Sequence, residues 1–180
     1  VAVADLNLAD AQKVADEIGG VAVACDVGKE ADVDALVAQV EAALGPIDIF
    51  FGNAGIATGS DPLATSLDDW QQQWDVNLMA HVYATRAVLP GMLERGSGYL
   101  IHTASMAGIL TTHGNLPYAV TKHALVGFAE WMSVTYHDKG VHSSLLAPLG
   151  VRTPMLGDTD SAFARNAAGP IKEPAEVGEM

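Results

Sequence analysis

The chain has 180 residues, 49% of them hydrophobic, enough to bury one sizeable core, so a single domain over residues 1–180 is expected. A formal charge of −13 argues against nucleic acid or an anionic membrane as the partner, and a solvated, self-repelling surface is the plainer reading. No apolar run is long enough to span a bilayer, no segment reads as a secretion signal, and the single Cys25 sits in an apolar run as a buried thiol, which fits a reducing, cytoplasmic setting.

Short β-prone runs alternate with longer helical patterns. Val1 to Ala4 precedes a helix near Leu8 to Ile18, and Val21 to Ala24 precedes one near Glu30 to Leu44. Ile47 to Phe51 reads as a third strand, followed by a Gly-rich loop through Ser60 and a long helical region from about Leu67 to Glu94. Tyr99 to Thr103 is a fourth strand. Leu116 to His137 is a helix with Leu125, Phe128, Trp131 and Met132 on its apolar side, and Val141 to Leu146 is a fifth strand. This alternation predicts an α/β fold on a parallel sheet. The small, polar stretch from Gly157 to Gly169 reads as a lid or a long surface loop, and Glu173 to Val177 as the first turn of a further helix.

The chemistry begins at Tyr118-Ala119-Val120-Thr121-Lys122. Residues four apart share a helix face, so the phenol and the ammonium point into one cleft. A cation about 4 Å from a phenolate, at an effective dielectric near 20, is worth roughly 4 kcal/mol, which would bring a tyrosine toward neutrality as an acid or base. The plain alternative is accidental spacing, expected about 0.1 times in a chain of this composition. Thirteen residues earlier Ser105 follows a strand end, where ligand sites of parallel sheets gather; a loop serine is otherwise a turn former or cap. The six histidines show no convincing metal-ligand spacing and read as surface or hydrogen-bonded core residues, with His113 near the cleft.

A strand ending in Ser-x-x-Gly, followed by Tyr-x-x-x-Lys on a helix, resembles the short-chain dehydrogenase/reductase family. Asn53-Ala54-Gly55, Asn77 in Val76-Asn77-Leu78, Asp26-Val27 and Pro148 to Thr153 agree with further family segments in the right order. The resemblance implies a doubly wound Rossmann-like sheet. It makes Tyr118 the general acid/base, with Lys122 lowering its pKa and holding the nicotinamide ribose. Ser105 would bind the reacting oxygen, and Asn77 would anchor a water in a proton relay. Asn53, Ala54, Gly55, Pro148, Val151 and Thr153 would lie beside the cofactor, and Asp26 and Val27 beside its adenine. The substrate would be an alcohol or ketone, and the protein a homodimer or homotetramer pairing through the helices near Leu67 to Glu94 and Leu116 to His137.

Asp5 ends the first strand, where an acid binds the adenosine ribose and repels a 2′-phosphate, so NAD is expected over NADP; the alternative is that Asp5 caps the following helix. The family's Gly-rich phosphate turn is missing before Asp5, and Gly52 to Gly59 does not replace it. In the family that turn follows a central strand lying between those at Val1 and Ile47. The chain therefore reads as truncated at both ends, with two unpaired strand edges. Leu149 stands where the family usually has glycine. A non-catalytic remnant or interaction protein using the same fold is the alternative function.

Overall fold

A computed structural model describes residues 1–111, 113–156 and 171–179. The stretch from Gly157 to Gly169 lies outside the described residues. The elements run β1 (Ala2–Asp5), α1 (Leu8–Ile18), β2 (Val21–Ala24), α2 (Glu30–Leu44), β3 (Ile49–Gly52), α3 (Leu67–Trp74), α4 (Ala80–Arg95), β4 (Gly98–Thr103), α5 (Leu116–Tyr136), β5 (Val141–Leu146) and α6 (Pro174–Gly178). Among these residues no helix is long and apolar enough to cross a membrane.

Every strand pairing is parallel, as the alternation of strands and helices requires. The sheet comes in two pieces, β1-β2 and β3-β4-β5, with no ladder between β1 and β3. The β3 edge leaves Ile49 and Phe51 60% and 51% exposed, the unpaired hydrophobic edge expected there. The pieces are joined through side chains. Cys25, Val33, Leu36, Val40 and Ala84 form a buried cluster that packs Ala2 and Val23 of one piece against Phe50 of the other. A second cluster, around Met92, Leu100, Met132 and Val141, fills the space between β4-β5 and helices α4 and α5.

Several local expectations change. Helix α1 is capped by Asn7, which accepts from the Ala9 amide, and Asp5 instead accepts the Asn7 amide at 2.8 Å. The third strand begins at Ile49, because Ile47 is drawn into the core clusters and its carbonyl accepts from Arg95. On α5, Leu125 and Met132 are buried, but Trp131 is 59% exposed and packs edge-on against Tyr136. The long helical region is interrupted at Asp75–Met79 by a π-helical turn between α3 and α4. Such insertions gather at functional sites. Across it, Gln73, Asn77, His81 and Thr85 recur every fourth residue and are all buried, a polar stripe where an apolar one would be usual.

Candidate active site

Ser105, Tyr118 and Lys122 reach one place by separate routes. Ser105 leaves β4 in extended backbone and caps the short 3-10 turn Met106–Gly108, accepting the Ala107 amide at 3.1 Å. Ser105 and Tyr118 line the same cleft, and the serine hydroxyl acts to lower the Tyr118 pKa. Tyr118 stands in the first turn of α5, whose start is fixed by Pro117 and by Asn115 accepting the Tyr118 amide at 3.0 Å. One turn on, Lys122 lies with its ammonium 5.7 Å from the Tyr118 ring centroid, so the predicted shared face holds. Gly108 lets the two segments meet: a Cβ there would fall 2.5 Å from the Lys122 carbonyl oxygen.

Asn77 sits in the π turn, fully buried. Its side chain accepts the Ile56 amide at 2.8 Å, donates to the Ile56 carbonyl at 2.9 Å and donates to Thr121 at 3.2 Å. It thereby holds the glycine-rich loop against α5. Thr103, at the end of β4, donates to Asn53 at 3.0 Å from its hydroxyl and accepts Lys122 Nζ at 2.8 Å on its carbonyl.

The charges differ from the simplest expectation. Burial lowers Lys122 to about 8, and burial raises Tyr118 above its ordinary 10, opposed by the Ser105 hydrogen bond. In this arrangement Lys122 bonds the Thr103 carbonyl and does not bring the phenol toward neutrality.

A cleft of about 1070 Å³ joins these groups. Of the residues expected beside a cofactor, Asn53, Ala54, Gly55, Pro148, Val151 and Thr153 line it together with Ser105, Tyr118 and Lys122. Asn77 lies behind this wall. Asp5, Asp26 and Val27 stand apart from the cleft at the ends of β1 and β2; the Asp26 carboxylate accepts from the Gly28 amide and pairs with Lys29, which holds it below the usual carboxylate range. His113 lines the cleft as anticipated. Leu110, Met155 and Leu156 line it from segments whose sequence carries no readable code, and Val177 of α6 joins them without having been anticipated.

A further pair had no signal in the sequence. His81 of α4 and His102 of β4 are both buried, with their Nδ1 atoms 3.0 Å apart, so one ring donates and the other accepts. Burial lowers His81 to about 3, helped by His102 and Lys122, and lowers His102 to about 4, which leaves both rings neutral.

Residues 1–163 match the short chain dehydrogenase family model, and the chain belongs to that family. It is 39% identical over 160 residues to the 2,5-dichloro-2,5-cyclohexadiene-1,4-diol dehydrogenase of Sphingobium indicum, a match covering 87% of this chain and 64% of that protein. The cyclohexanol dehydrogenase of an Acinetobacter species is 31% identical over 190 residues, covering 100% of this chain and 75% of that one. Among solved structures, a gluconate 5-dehydrogenase from Burkholderia cenocepacia in complex with NADP and tartrate superposes with a TM-score of 0.84 at 30% identity, over 92% of this chain and 67% of that one. These neighbours share the doubly wound Rossmann architecture.

Proposed function

We propose that the protein interconverts a secondary alcohol and a ketone by hydride transfer with a nicotinamide dinucleotide, NAD in preference to NADP. The observation that carries this reading is that Ser105, Tyr118 and Lys122 line one cleft, with the Lys122 ammonium 5.7 Å from the Tyr118 ring centroid.

The residues present fit the nicotinamide end of such a cofactor. Asn53 to Gly55 and Pro148 to Thr153 bound the cleft, and a Cβ on Gly55 would stand 3.4 Å from Lys122 Nζ, narrowing the space beside the ammonium. Lys122 would hold the nicotinamide ribose, Asp26 and Val27 would border the adenine, and Asp5 would bind the adenosine ribose and repel a 2′-phosphate. A bound nicotinamide supplies or accepts the hydride.

The chain's own groups manage the oxygen and its proton. In the reductive direction Tyr118, a phenol at neutral pH, gives its proton to the carbonyl oxygen while Ser105 donates a hydrogen bond to the same atom. Asn77 positions the loop beside Lys122 and would anchor a water in the returning proton path.

Exposed Leu67 and Trp74 on α3, with Trp131 and Val134 on α5, support pairing of two copies through these helices. Fluorescence titration with NADH and NADPH tests the cofactor assignment. NADH is expected to bind at least about tenfold more tightly, with Asp5→Ser narrowing the gap; equal affinities would remove the role given to Asp5.

A further inference from the structure

We infer that the cleft selects a neutral secondary alcohol with a hydrocarbon body over hydroxy acids and polyols. This rests on the dehydrogenase reading and adds the substrate class. Leu110, Leu149 and Met155 come from three separate segments and line the same cleft as Ser105 and Tyr118, yet they are 68%, 49% and 50% exposed. Val177 joins them from α6. That helix is held beside the cleft by the Arg152–Glu173 ion pair at 2.7 Å and by backbone hydrogen bonds linking Lys172 to Gly150 and Arg152. A hydrocarbon ring anchored through its oxygen at Ser105 and Tyr118 would cover these side chains and remove their apolar surface from water.

An acid would fare worse in the same place. Where it lay against leucine, methionine and valine its carboxylate would lose hydration, while Thr111, His113 and Asn115 supply polar groups elsewhere in the lining. Among the described residues, Arg152 is paired with Glu173 and the Lys122 ammonium bonds the Thr103 carbonyl. A polyol would bring hydroxyls to the same apolar wall.

Initial rates of NAD reduction with cyclohexanol, tartrate and glycerol test this. Cyclohexanol is expected to show kcat/KM at least about 100-fold above either competitor. Met155→Arg, at a half-exposed site where the new head group reaches water, should lower the cyclohexanol value about tenfold and raise that for tartrate, while Leu149→Ala should lower cyclohexanol alone. Equal or faster turnover of tartrate or glycerol that disappears in Tyr118→Phe would overturn the substrate class and leave the dehydrogenase reading standing. No turnover of any alcohol would overturn both.

Discussion

Asn77 and Ile56 exchange two hydrogen bonds, side-chain oxygen to backbone amide at 2.8 Å and side-chain amide to backbone carbonyl at 2.9 Å. A buried asparagine thus substitutes for a strand partner and fixes the loop that borders the cleft. Asn77→Ala leaves both Ile56 groups without these partners. The expected loss is about 1–3 kcal/mol in urea unfolding, with weaker NADH binding; an unchanged midpoint would show that the loop is held by other contacts.

The raised Tyr118 predicts opposite pH dependences for the two directions. Ketone reduction uses the phenol and should hold through neutrality, then fall as the hydroxyl ionises. Alcohol oxidation needs the phenolate and should rise with pH across the alkaline range. Profiles of kcat/KM in both directions check this, and a fall in oxidation toward alkaline pH would contradict it.

Lys122 is lowered from 10.5 to about 8, so the folded chain holds its proton less tightly than the unfolded one. Unfolding therefore takes up a proton between about 8 and 10.5, and this group's contribution to stability rises with pH across that window. Below it the full cost of burying the ammonium is present, on the order of 3 kcal/mol. Lys122→Met should be more stable than the parent at pH 7, with the difference shrinking as the pH approaches 10.5. A difference independent of pH would contradict the assignment.

The His81–His102 pair acts at the other end of the scale. Both rings titrate below their ordinary 6.5 when folded, so their stabilisation is complete above 6.5 and is lost as pH falls toward 4 and 3. At pH 5 the loss is about 2 kcal/mol per ring at most. Urea midpoints from pH 7 to 5 should fall steeply in the parent and less steeply in the double variant His81→Leu, His102→Leu; parallel curves would place the acid sensitivity elsewhere.

The sequence carries local signals well and distant ones poorly. Strands and helices followed from alternation, and Tyr118 with Lys122 followed from a spacing of four. The π turn did not, because one inserted residue barely disturbs a helical pattern that runs from Leu67 past Trp74. The histidine pair lies 21 residues apart on different elements, and no composition rule joins them. Ser105 illustrates a middle case: cap and substrate ligand were weighed as alternatives, and it caps the turn by accepting from Ala107 while lining the cleft beside Tyr118, its hydroxyl having capacity for both. The apolar character that Leu110 and Met155 give the cleft was unreadable because loops carry no period, and Val177 sits in a helix too short to show one.

The most direct test of the account is the initial rate of NAD reduction with cyclohexanol by the parent protein and by Tyr118→Phe, measured beside their thermal unfolding. The account predicts a parent rate that falls at least about 100-fold in the variant, with the fold and NADH binding retained. A variant that turns over alcohol as fast as the parent would contradict it.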